Sequence, residues 1–179
     1  MLMKESTGLI VVDIQGDLAR LVHNHEDLIS NCEKLIKGSQ ALNVPIILLE
    51  QNPDRLGPTV NELGELLNDI TPINKLAFNA CASTEFINSV ATRKVDTWLV
   101  CGIEAHICVY QTVKGLLGQG YKVELVSDCI SSRTLFNKQV GIDRLQSCGA
   151  EITSLEMCLY ELVKDCESTE FKTILDLIR

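Results

Sequence analysis

The sequence predicts a three-layer α/β/α sandwich built on a mainly parallel sheet of five or six strands, and three observations carry that expectation. Compact β-branched runs alternate with amphipathic helical periods along the whole chain. The runs are apolar throughout rather than at every second residue, which is the pattern of strands covered on both faces. Each run is followed by enough chain for a crossover, and right-handed strand–helix–strand crossovers gather such runs into one parallel sheet.

Taken in order, TGLIVVDI at 7–14 is the first strand. Leu28, Ile29, Cys32, Leu35 and Ile36 then recur at helical spacing, with Asn24 placed to cap the helix start. VPIILLE at 44–50 is the second strand. Ser83 opens the next helix, with Phe86, Ile87, Val90 and Ala91 expected inward. VDTWLVCG at 95–102 forms the third strand and leads into a helix from about Ala105 to Leu117, which stops at the glycines of 118–120. KVELVSD at 122–128 is the fourth strand. A helix capped by Asn137 and closed by Gly149 follows, with Val140, Leu145 and Cys148 inward, and AEITS at 150–154 completes a five-strand minimum.

A chain of 179 residues fits a single domain over 1–179, large enough to bury a core without staples. Its longest apolar runs fall far short of the roughly 20 residues that span a bilayer, so no membrane partner is expected. The start, MLMKESTG, has no apolar stretch between a basic head and a small-residue cleavage site. Eight cysteines form no CxxC pair, and together these features predict reduced thiols in a cytoplasmic protein. Twenty-four acidic and sixteen basic residues give a net charge of −8, with the cations scattered. Nucleic acid is therefore excluded as an expected partner, since phosphate binding draws on a concentrated positive face.

Sheets of this class place ligands outside the carboxyl ends of their strands. Asp13 stands where the first run ends, and Gln15 follows it. An aspartate there also serves as an ordinary turn cap. Of the eight cysteines only Cys108 combines a strand's carboxyl end with a helix start, where free N–H groups and the helix dipole favour a thiolate. Lys75, in the connection before the Ser83 helix, would lower the thiol pKa and hold the carboxylate ionised if it lay beside both. His23 and His25 in HNHED read as an exposed polar cluster at a helix start rather than a metal pair. His106, two residues from Cys108, points away from it on a helix and reads as pocket-lining or structural. GLLGQG at 115–120 lacks the spacing of a phosphate-binding loop.

Asp13 after the first strand, NKLAF with Lys75, and CGIEAHICV with Cys108 together resemble the isochorismatase-like cysteine hydrolase superfamily, over almost the whole chain. VPIILLEQNPDRLGPTV, SDCISSR, FNKQVGIDRLQSCGAEITSLEMCLYEL and EFKTILDLI are similar in particular to its metal-independent, isochorismatase domain-containing branch. The resemblance implies Cys108 as nucleophile, Asp13 as the base that takes its proton, and Lys75 as the cation beside them. It further implies a cis peptide between Ile103 and Glu104, with backbone N–H groups of Ala105 and Cys108 aimed at an oxyanion. Gln15, Phe78 and Glu104 are the candidates for lining the pocket, and the family's habit of association implies a homo-oligomer.

Nicotinamidases of the superfamily hold a metal with an Asp-x-His pair and a further histidine. This chain reads LLEQNPDRLG there, with no histidine between His25 and His106, so neither metal nor cofactor is expected. The resulting expectation is a metal-independent hydrolase cleaving a small amide or related acyl substrate through an Asp-Lys-Cys triad. Two alternatives stand beside it: an idle family member acting as a scaffold, and non-covalent hydrolysis of a vinyl ether of the isochorismatase type.

Overall fold

In the computed structural model, which describes residues 1–179, alternation along the first strand divides the core in two. Leu9 and Val11 of β1 (Thr7–Val12) face one helical layer, and Ile10 and Val12 face the other. The chain continues through α1 (Leu18–Leu21), α2 (His25–Ala41), β2 (Ile46–Gln51), α3 (Pro53–Leu56), α4 (Asn61–Gly64) and β3 (Ile73–Lys75). Next come α5 (Thr84–Thr92), β4 (Thr97–Ile103), a π-helical turn (Ala105–Val109) and α6 (Tyr110–Gly118). The remainder comprises β5 (Lys122–Ser131), α7 (Leu135–Ser147), β6 (Glu151–Thr153), α8 (Leu155–Val163) and α9 (Phe171–Ile178).

All six strands pair in parallel in the order β3-β2-β1-β4-β5-β6, and the expected three-layer sandwich is formed. Buried residues of α2 and α8 pack on one face, and those of α5, α6 and α7 on the other. Two glycines let the central strands approach. A Cβ on Gly8 would lie 2.3 Å from the Trp98 ring, which covers it. Gly102, at φ +127°, runs so close to β1 that a Cβ would fall 2.1 Å from the Val12 carbonyl oxygen. That contact holds the ends of β1 and β4 together where Asp13 leaves the sheet.

Several local expectations are corrected. A sixth strand, β3, pairs with the end of β2, so Lys75 closes a strand rather than lying in a connection. Its three residues and exposed central Asn74 give no apolar run to read. Asn24 adopts a left-handed conformation and makes no side-chain cap; its amide donates instead to Asp27 at 2.6 Å. Thr134, not Asn137, caps α7, its hydroxyl accepting from the Asn137 N–H at 3.2 Å. Only Gly141 and Leu145 of that helix are buried, while Val140 and Cys148 face solvent. Ser83 does cap α5, but Ala91 turns outward because Phe86 and Val90, four apart, already define its inner stripe.

Cys32, Cys101, Cys129 and Cys158 all lie in the core beneath α2 and α8. Burial pushes the Cys129 thiol up to about 11 and raises Cys158 as well, and half-buried Cys81 is likewise pushed up to about 11. The folded chain keeps these protons where the unfolded chain has released them. Their stabilising contribution is whole below the ordinary thiol value of 9.0 and is lost as pH rises toward about 11. The thermal midpoint is therefore expected to fall across that window, and Cys129→Ala to shallow the fall; a midpoint flat over the same window contradicts the assignment.

Candidate active site

The strand order reverses between β1 and β4, and in open parallel sheets the crevice at that reversal is where ligands sit. Asp13 emerges there directly after β1, at φ 54°, a left-handed turn that a short polar side chain tolerates better than most. The turn brings its carboxylate to the carboxyl ends of β2 and β3. Lys75, paired in register with Gln51, donates from Nζ to Asp13 Oδ2 at 2.7 Å and to Gln51 Oε1 at 2.7 Å. Gln51 is oriented for this by its own Nε2, which donates to the Leu76 carbonyl at 2.8 Å. The ion pair is dry, with the two side chains 1% and 3% exposed.

On the other side of the crevice β4 ends at Ile103, and the Ile103–Glu104 peptide is cis. The chain then makes the π-helical turn in which Ala105 is first and Cys108 fourth; both are buried. N–H groups of Ile107 and Val109 donate to the Glu104 carbonyl at 3.0 and 3.2 Å, pinning the turn to the strand end. The helix expected from Ala105 thus begins with this wider turn before α6 continues it. From the far side Gly141 of α7 lies so near that a Cβ would meet the Ala105 carbonyl at 2.8 Å, so α7 seats directly on the turn.

The structure brings Asp13, Lys75 and Cys108 together. Oδ2 of Asp13 is held by Lys75, whereas buried Oδ1 has no hydrogen-bonding partner; the carboxylate makes the Cys108 thiol less acidic, and the thiol makes the carboxyl more so. Burial, then the Asp13 charge, push the thiol up to about 12. Here the expectation of a lysine-stabilised thiolate is corrected. The Lys75 charge does favour the thiolate, but its ammonium is bonded to Asp13 and Gln51, and desolvation and the nearby carboxylate outweigh it. At neutral pH the thiol therefore carries its proton. Burial also raises Asp13 above the ordinary carboxylate value, against the opposing pull of Lys75.

Asp13 and Cys108 line a cavity of about 150 Å³. Leu18, Leu56, Ile103 and Ile107 give it apolar walls, and half-exposed Phe78 stands at its edge. Such a volume is well below the roughly 300–1,000 Å³ of pockets that take drug-sized ligands. Glu104 also lines it, buried, with Oε1 accepting from Arg133 Nε at 2.8 Å and Oε2 lying 3.3 Å from His106 Nδ1. His106 itself lies outside the cavity and pairs with the Ser132 hydroxyl at 2.9 Å. Gln15 does not line the cavity either. It is fully buried, its amide bonded to the backbone of Gln51 (3.2 and 2.6 Å) and Gly57 (2.7 Å), where it ties the loop after β2 to the end of β1.

Two residues of the site escape the sequence reading. Gln51 and Arg133 both stand at or just past a strand's carboxyl end, the same signal that singles out Asp13. Gln51 lies one residue beyond the apolar run, and Arg133 lies past a register shift in β5 that carries the strand to Ser131. No group of three His, Cys, Asp or Glu side chains anywhere in the chain converges in a geometry that holds a metal ion.

A family model described as the isochorismatase domain matches residues 7–157. The chain is 34% identical to the secreted isochorismatase effector Isc1 of Phytophthora sojae over 184 aligned positions, covering 99% of this chain and 87% of that protein. It is 31% identical to isochorismatase domain-containing protein 2A of Mus musculus, covering 99% of this chain and 85% of the relative. Among solved structures, that of MAR1 ribonuclease from Caenorhabditis elegans superposes with a TM-score of 0.93 at 32% identity, covering 99% of this chain and 91% of the other.

Proposed function

The chain belongs to the isochorismatase family, and from that premise we propose that it is a metal-independent hydrolase of small amides or related acyl compounds, working through Cys108. The observation that carries the reading is the floor of the cavity, where the thiol meets a carboxylate with one oxygen held by Lys75 and the other free of partners. A thiol kept protonated needs a base at the moment of attack, and Asp13 is placed to be that base. Cys108 Sγ attacks the acyl carbon as its proton passes to Asp13. The oxyanion that forms is held by the backbone N–H groups of Ala105 and Cys108. Collapse breaks the C–N bond, and the amine leaves with the proton from Asp13. Water then gives a proton to Asp13 as it attacks the thioester, the C–S bond breaks to release the acid, and Asp13 passes that proton to Sγ, which restores the thiol.

Lys75 fixes the carboxylate and keeps it ionised between these steps; it transfers no proton. The small apolar cavity supports a compact acyl group, and the net charge of −8 supports acyl over phosphodiester chemistry for this chain, whatever its ribonuclease-named relative does. Release of ammonia or amine from a panel of small amides is the test. Cys108→Ala is expected to lower turnover by about three orders of magnitude or more. Undiminished turnover by that variant would sink the proposal.

A further inference from the structure

A second cavity, of about 390 Å³, opens at the free edge of β5 and shares no residue with the one that holds Cys108. Its volume falls within the range of small-molecule sites. The cavity exists because β6 pairs only with residues 124–126 while β5 runs on to Ser131, so the end of β5 has no strand beside it. In that gap Asp128, Ile130 and Ser131 form the floor, α2 stands on one side, and Lys138 reaches in from α7 on the other. Asn24, Asp27 and Asn31 recur at helical spacing, so the start of α2 turns a polar stripe toward the space. The rim is pinned as well: the His23 N–H donates to the Ser132 carbonyl at 2.8 Å, and the His23 carbonyl accepts from Ser131 Oγ at 2.6 Å.

Each acidic or amide side chain of the cavity is oriented by one hydrogen bond and keeps one oxygen over. Asp27 Oδ2 accepts from Asn24 Nδ2 at 2.6 Å, and Asp128 Oδ1 accepts from the Leu155 N–H at 2.8 Å. Asn31 Nδ2 donates to the Asp128 carbonyl at 3.1 Å, which leaves its Oδ1 as an acceptor. The second oxygens of both aspartates and Asn31 Oδ1 accept nothing from the protein. Three acceptors, two of them charged, match the three donors of one primary ammonium. Lys138 supplies the opposite charge. It is half-buried, enters none of the chain's ion pairs, and is held below the ordinary lysine value by that burial, against the pull of Asp128. Its ammonium would repel a divalent cation, and the carboxylates are two rather than the three of a metal group. A bare anion is disfavoured in turn, since Glu26 and Asp27 already meet the positive end of the α2 dipole.

We propose that this cavity binds a small zwitterion, an amino acid in the broad sense, whose ammonium takes Asp27, Asp128 and Asn31 as acceptors and whose carboxylate pairs with Lys138. The site is separate from the catalytic cavity and stands whether or not Cys108 is a nucleophile.

The test titrates the intact, nitrogen-15-labelled protein with glycine, β-alanine, 4-aminobutyrate and 5-aminopentanoate, and follows backbone amide shifts by NMR. The tightest of the four is then compared with the amine and with the carboxylate of matching chain length. Shifts are expected to centre on Asn31, Asp128 and Lys138, and the zwitterion to bind about tenfold tighter than either singly charged analogue, the scale of one charge-assisted hydrogen bond. Lys138→Gln should bring the zwitterion down to the affinity of the amine, and Asp27→Asn should weaken it by about tenfold. Both positions are at least partly exposed, so the fold is kept, whereas Asp128 holds the start of α8 and is left unchanged. Binding by none of the four, shifts centred on Cys108 instead, or an advantage that survives Lys138→Gln each overturns the assignment. So does an amine that binds as tightly as the zwitterion, which would make the cavity a simple cation site, or a carboxylate that does, which would make it a simple anion site.

Discussion

Asp13→Asn is expected to remove most of the turnover while making the Cys108 thiol more acidic. The two effects point in opposite directions because the carboxylate acts on the thiol in two ways. As a charge, it is among the causes that push the thiol up to about 12, after burial itself. As a base, it takes the proton when attack begins. Asparagine has nearly the same shape and no charge, so the repulsion is relieved and the base is lost together. General-base catalysis contributes about 10²- to 10⁴-fold, and a loss in kcat/KM of that size is expected on any amide the wild type cleaves. A residue that served only to activate a preformed thiolate would behave otherwise, since its loss would raise the thiol pKa along with lowering the rate.

The second large effect falls on stability. Lys75→Met would leave the Asp13 carboxylate buried with its partner removed, since both side chains are almost wholly enclosed. Breaking a buried pair from one side costs about 3–5 kcal/mol, whereas replacing both members is often close to neutral. At roughly 2–4 °C per kcal/mol for a chain of this size, the thermal midpoint is expected to drop by roughly 6–20 °C. Asp13→Asn combined with Lys75→Met should recover much of that loss. The pH dependence has a definite sign. Asp13 already lies above the ordinary carboxylate value through burial, and without Lys75 it rises further. A raised carboxyl contributes stability that is present at low pH and lost as pH rises through its folded value, so the single variant should come closest to the wild type on acidification. Differential scanning calorimetry on the wild type and the two variants reads all of this; a single variant as stable as the wild type at neutral pH contradicts the buried pair.

The fold was legible because the strands of a covered parallel sheet must be apolar on both faces, and TGLIVV and TWLVCGI admit little else. Asp13 and Cys108 were legible by the same logic, since each interrupts or follows such a run at the end where ligands sit. What stayed hidden depends on contacts between elements distant in sequence. β3 is defined by its pairing with β2 rather than by its own residues, so the sequence alone places Lys75 in a connection. Gln15 has the look of a pocket residue until its amide is found bonded to the backbone on both sides of the loop after β2. The acidity of Cys108 is the sharpest case. A helix start and a neighbouring lysine suggest a thiolate, but whether the lysine's charge faces sulfur or oxygen is fixed only by the 2.7 Å bond to Asp13. Arg133, half exposed, carries no burial signal at all, and its place at the cavity follows from the register shift in β5.

The most direct test of a protonated Cys108 served by Asp13 is the pH dependence of its alkylation, followed peptide by peptide by mass spectrometry in the wild type and in Asp13→Asn. The arrangement of burial and charge predicts that the wild-type thiol titrates near 12 and that the variant titrates lower. A wild-type thiol that titrates at or below the ordinary 9.0, or a variant whose thiol titrates higher than the wild type, would contradict it.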